Sequence, residues 1–251
     1  MIKTFLLLML SIIYSGILSA QSQPKPTAEE IIKAVDRNMS AKTTVLESKM
    51  IVHGRRATRT ISSKSWILGQ DTAFTEYMSP AREKGTKMLK IGNRMWMYSP
   101  QTDRIIQISG HMLRQSVMGS DLSYEDMMED PKLFERYNAV LEGEDIIDNK
   151  DCWRILLTAR TKGLAYNSRK LWIDKERMIP LREELYAKSG KLIKSLRITE
   201  VMQVGDRWYP RIWIFKDELK SNSRGTEWIV DKIEFDLDIP EKRFSKIGLR
   251  K

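Results

Sequence analysis

Cysteine and histidine are nearly missing: Cys152, His53 and His111 are all that 251 residues offer of the side chains most used for thiol chemistry, zinc binding and proton transfer near neutral pH. A single cysteine excludes an intrachain disulfide, so the core must supply stability. The strand-like segment Asp151-Cys152-Trp153-Arg154-Ile155-Leu156-Leu157 lacks any basic or helix-start context that would lower a thiol pKa, which makes Cys152 a small buried hydrophobe. Gly-x-Ser-x-Gly, His-Glu-x-x-His, a glycine-rich phosphate loop and a cysteine cluster are all absent. The best nucleophilic group that can be assembled is His111 with Ser120 and Asp121, and Gly119-Ser120-Asp121 reads more simply as a turn before a helix start. Glu125 and Asp126 are adjacent on a polar segment and read as a solvated face rather than a glycosidase pair. The expectation is a protein without enzymatic activity, cofactor or metal.

Long apolar runs are also scarce. The one candidate, Phe5 to Ile17, follows Lys3, precedes Leu18-Ser19-Ala20, and is shorter than the roughly 20 residues a spanning helix needs. That layout predicts a secretory signal peptide over residues 1–20 and one exported, soluble domain over 21–251. Gln21 stands where a lipid-accepting cysteine would be needed, so a permanent lipid anchor is not expected. The formal charge of +10 either serves solubility or draws the protein to anionic head groups or acidic partner surfaces. Nucleic acid rarely meets an exported protein and is not an expected partner.

What is present is alternation. Thr27 and Glu30 have capping-box spacing, and Ile31, Ile32, Val35 and Met39 follow at helical spacing, predicting one opening helix. From residue 44 the period becomes two. Strand-like segments run over 44–52, 58–68, 72–78, 86–91, 95–99 and 104–109, then over 139–147, 153–159, 168–173, 181–186, 192–204, 208–215 and 226–237, and we expect about ten or eleven strands. Residues 110–135 break the pattern with irregular apolar positions among Gly110, Gly119, Asp121 and Pro131, predicting short helices and loops. The fold class is therefore mainly β with a few helices (α+β), a single incomplete antiparallel barrel whose open side is covered by helices.

Eight of the fourteen methionines lie between Met78 and Met128, beside Trp96, Tyr98 and Tyr124. Methionine repacks around ligands of varied shape, and an acyl chain is such a ligand. The candidate cavity and lid residues are Met88, Leu89, Ile91, Trp96, Tyr98, Met112, Leu113, Met118, Leu122, Tyr124, Met127 and Met128. Trp96 and Tyr98, two apart, should share one face of a strand. The same residues could instead fill an ordinary core.

Three stretches carry a resemblance: Met78-Ser79-Pro80 with Lys84-Gly85-Thr86, Trp96-Met97-Tyr98-Ser99-Pro100, and Gly119-Ser120-Asp121-Leu122-Ser123-Tyr124-Glu125-Asp126. With the closing Pro240-Glu241-Lys242-Arg243-Phe244, the chain resembles the outer-membrane lipoprotein-sorting family of LolA-like proteins. That resemblance implies a half-barrel with an apolar cavity for the acyl chains of lipoproteins or lipids, acting in the periplasm. It further implies an inner-membrane exporter and an outer-membrane acceptor as partners, transient contact with a membrane surface, and a monomeric carrier. The alternative from another class is a lipid-sensing module that binds mislocalised lipoprotein and signals to a membrane protein.

Overall fold

The computed structural model describes residues 25–54, 57–129 and 132–250. The expected signal peptide lies outside them. Among the described residues, no helix is long and apolar enough to cross a membrane.

The opening helix α1 (Ala28–Met39) is fixed at its start by the expected capping box. The Glu30 amide donates to Thr27 Oγ1 at 3.3 Å, and the Thr27 amide donates to Glu30 Oε2 at 2.8 Å. Ile31, Ile32 and Val35 form its buried stripe.

Among the described residues, thirteen strands form one antiparallel sheet: β1 (Thr43–His53), β2 (Thr58–Leu68), β3 (Thr72–Ser79), β4 (Lys87–Ile91), β5 (Arg94–Ser99), β6 (Arg104–Ile108), β7 (Tyr137–Ile147), β8 (Lys150–Ala159), β9 (Ser168–Asp174), β10 (Pro180–Tyr186), β11 (Leu192–Val204), β12 (Arg207–Asp217) and β13 (Thr226–Phe235). The count exceeds the ten or eleven expected because every alternating segment pairs, the five-residue β4 and β6 included. The order is β6-β5-β4-β3-β2-β1-β13-β12-β11-β10-β9-β8-β7, two meanders joined where β1 pairs with β13. Register shifts in β1, β7 and β11 locally increase bending and twist, as bulges do. The sheet curls without closing.

This order has one topological consequence. β6 and β7 are consecutive in the chain but occupy opposite edges of the sheet, so residues 109–136 must cross from one edge to the other. The crossing carries short 3-10 turns at Gly110–Arg114 and Val117–Gly119, then α2 (Tyr124–Met128) and α3 (Leu133–Arg136). With α1, it covers the inner face. The outer face of β1–β5 is covered by residues 239–249, whose Ile239, Phe244 and Leu249 pack on Val45, Phe74, Leu89 and Trp96.

Candidate ligand-binding site

Two covers seal the inner face at its two ends. Over β8 and β9, α1 buries Ile31, Ile32 and Val35 against Trp153, Ile155, Leu157, Leu171 and Ile173. Over β1 to β6, the crossing brings Val117, Leu122 and Tyr124 down on Met50, Ile61, Tyr77, Met88 and Met95. Between the covers, above β9 to β13, a cavity of about 330 Å³ remains. That volume falls at the lower end of ligand-sized pockets, roughly 300–1,000 Å³.

The cavity floor follows from strand register. Leu171, Glu183, Leu196 and Phe215 are cross-strand neighbours on β9 to β12, and Trp213 pairs with Ile198 on one side and Trp228 on the other. Period two keeps these residues on one face. Val35 and Met39 of α1, with Leu122, Met127 and Leu133 of the crossing, close it from above.

One wall is ionic. Arg169, in phase with Leu171 and Ile173, reaches Glu129 Oε2 at 2.7 Å and Glu183 Oε1 at 3.1 Å, and its Nε donates to Tyr137 Oη at 3.0 Å. Lys194, in phase with Leu196 and Ile198, pairs with Asp126, which also accepts from the Tyr166 hydroxyl. Burial alone would lower the Arg169 pKa, but Glu183, Tyr137 and Glu129 raise it, so the guanidinium stays charged. Burial raises the Glu183 pKa, only partly offset by Arg169. Burial and then Asp126 push the Tyr166 phenol well above its usual range. Buried charges persist only when paired in this way. Because Asp126 and Glu129 belong to the crossing while Arg169, Glu183 and Lys194 belong to the sheet, these bonds fasten one to the other. Asp126 is therefore no part of a solvated face.

Further anchors fix the crossing. Asp121 accepts from Ser223 Oγ at 2.7 Å and Thr226 Oγ1 at 2.9 Å, and Arg59 donates to the Met118 carbonyl at 2.7 Å. Gly119 has φ +75°, and a Cβ there would come within 3.0 Å of the Arg59 guanidinium. Ser120 Oγ exchanges bonds with the Leu122 backbone, while His111 is exposed. The Gly-Ser-Asp stretch is thus an anchoring turn, and Ser123 with Asp126 is the capping box of α2. Cys152, packed with Trp172 and Leu181, has its thiol pKa pushed up by burial to about 11.

The twelve candidate residues fall into three groups. Leu122 and Met127 line the cavity. Met88, Met112, Leu113, Met118, Tyr124 and Met128 pack beside it in the cluster between the crossing and the sheet. Met118 and Tyr124 also border a second, more polar cleft of about 810 Å³ that includes Arg59, Arg82 and Glu83. Leu89, Ile91, Trp96 and Tyr98 lie on the outer face under residues 239–249, so Trp96 and Tyr98 share a face as expected but do not line this cavity. Leu196, Trp213, Trp228, Arg169 and Lys194 went unrecognised. Arg169 and Lys194 had a readable signal, since each is a charge in phase with apolar neighbours two and four residues on.

A family model described as one of uncharacterized proteins matches residues 69–251. Among curated proteins nothing matches. Solved structures do. A DUF1329 family protein from Desulfovibrio piger is 22% identical, with a TM-score of 0.81 and coverage of 88% of this chain and 97% of that one. A domain named for outer-membrane lipoprotein sorting, from Vibrio parahaemolyticus, is 22% identical with a TM-score of 0.78 and coverage of 89% and 98%. A LolA superfamily protein from Nitrosomonas europaea is 21% identical with a TM-score of 0.71 and coverage of 89% and 100%. The chain belongs to this family of uncharacterized proteins and shares the LolA-like incomplete-barrel fold of these solved structures.

Proposed function

We propose that the protein is a periplasmic carrier that shelters acyl chains of lipoproteins or lipids, taking them from an inner-membrane donor and releasing them to an outer-membrane acceptor. The observation that carries this reading is the cavity between the two covers, lined mostly by apolar side chains and bordered on one side by an ionic wall. The fold neighbours, one named for outer-membrane lipoprotein sorting and one for the LolA superfamily, support it. Roughly ten buried methylenes contribute about 8 kcal/mol, the scale of a micromolar Kd. Transfer then needs only modest affinity differences between successive binders. Any energy input belongs to a membrane partner.

Native mass spectrometry of protein taken from its own periplasm, followed by lipid extraction, tests the reading. An acyl-bearing species should co-purify or be loadable, and failure of both refutes it. Met127→Asp and Leu196→Asp should each weaken a fluorescent acyl probe more than about tenfold by placing a charge in the apolar cavity. Labelled lipoprotein in inner-membrane vesicles separates the two classes of function: a carrier extracts it, whereas a sensor binds it in place.

A further inference from the structure

The segment that covers the outer face has two sides of opposite chemistry. Inward, Phe244 and Leu249 are buried against the sheet. Outward, Lys242, Lys246, Ile247 and Arg250 are exposed, and Ile247 keeps 70% of its surface accessible. Gly248 permits the turn that holds them there, because a Cβ would meet the Arg243 carbonyl oxygen at 2.6 Å.

The aromatic ground beneath is decked with cations. The Arg243 guanidinium lies 3.9 Å from the centre of the Trp66 ring. Lys246 Nζ lies 4.5 Å from the centre of Trp96, and the Arg94 guanidinium 5.4 Å from it. Residues 242–250 contain four cations and no carboxylate side chain. Acids near the segment include Glu241 and Asp238, both exposed, and Asp103, which accepts from the Tyr98 hydroxyl at 3.2 Å. An exposed isoleucine in a segment whose other exposed side chains include Lys242, Lys246 and Arg250 matches the chemistry of an anionic bilayer surface: the cations meet head groups, and the aliphatic tip enters the acyl boundary.

We infer that residues 242–250, together with Arg94, form a docking surface for anionic lipid bilayers. The surface lies on the opposite side of the sheet from the cavity, so membrane contact and acyl binding are separable. Docking is reversible, since a few exposed cations and one isoleucine do not anchor a protein permanently, and it weakens with salt.

The test uses Ile247→Cys carrying an environment-sensitive fluorophore; the buried Cys152 does not compete for the label. With vesicles of phosphatidylcholine and phosphatidylglycerol at two to one, the emission should shift to the blue, and with pure phosphatidylcholine it should not. In the same labelled chain, Lys242→Glu, Lys246→Glu and Arg250→Glu together should lower the apparent affinity more than tenfold. The milder pair Lys246→Gln and Arg250→Gln should give a smaller loss. No shift with the anionic vesicles, or a shift insensitive to the charge changes, overturns the inference, and an acidic protein as the true partner would give that silence. Thermal melting checks that these exposed changes leave the fold intact, and unchanged acyl-probe binding keeps this outcome distinct from failure of the carrier reading.

Discussion

The two ends of the inner face are closed by different materials. Under α1, the seal is made of Ile31, Ile32, Ile155, Leu157, Leu171 and Ile173, each at most 1% exposed. Between the crossing and the sheet, seven of the eight methionines between Met78 and Met128 gather with Met50, and Met97, Met112, Met118, Met127 and Met128 remain only partly buried. Branched and γ-branched aliphatics have few rotamers and fill a fixed shape, whereas methionine fills irregular space and repacks at small cost. The α1 end is therefore built to stay, and the crossing is built to adapt. Besides the apolar packing of Val117, Leu122 and Tyr124, discrete polar fasteners attach it to the sheet: Asp121 to Ser223 and Thr226, Arg59 to Met118, and the ion pairs of Arg169 and Lys194.

The sharpest test of that contrast is to break the fasteners, which should give the largest loss. Arg169→Ala leaves Glu129 and Glu183 facing each other without their cation, an uncompensated buried charge that should cost about 3–5 kcal/mol in denaturant unfolding. Amide exchange around 123–129 should rise more than around 28–39. Equal acceleration at both ends would show that the wall supports the whole domain rather than the crossing. Next in size, Leu157→Ala under α1 should cost about 2–4 kcal/mol because its closely packed surroundings cannot collapse into the void. Met112→Leu with Met128→Leu, on the crossing itself, should cost less than about 1.5 kcal/mol. That pair should nonetheless narrow the range of acyl probes bound, as two adaptable side chains become stiffer.

The fold was legible in the sequence because it rests on local periodicities. Alternation marked each strand segment, the Thr27 and Glu30 spacing marked the start of α1, and the loss of period after Ile108 marked the crossing. The site was legible only in part. Clustering of methionine in the sequence did become clustering in space, but which face a residue occupies depends on register with partners far away in the chain. Leu89, Ile91, Trp96 and Tyr98 look as suited to a cavity as Met88, yet they are one step out of phase with it and face the other side. The cavity floor joins β9 to β13, segments in which no compositional bias drew attention. Within one strand, however, phase is readable: Arg169 with Leu171 and Ile173 places a charge on an apolar face before any partner is known. Adjacency misled at Asp126, which follows Glu125 on a short helix yet pairs with Lys194 and the Tyr166 hydroxyl.

The smallest expected effect is also the most specific to the ionic wall. Burial raises the Glu183 pKa, so the folded protein holds a proton there at pH values where an unfolded chain has already lost it. A group whose folded pKa is raised favours the folded state below its unfolded value, and that advantage disappears as pH climbs through the folded one. Stability should therefore fall as pH rises from the usual glutamate range toward the raised value. Glu183→Gln removes this titration while keeping an acceptor for the Arg169 guanidinium, and it should flatten the dependence by about 1 kcal/mol or less. The measurement is urea unfolding of both proteins across that pH window. Parallel curves would mean that Arg169 already compensates Glu183 fully, and the crossing would then be fastened at a strength that acid does not alter. Diverging curves would place the titrating group at Glu183, on the sheet side of the contact with the crossing rather than under α1.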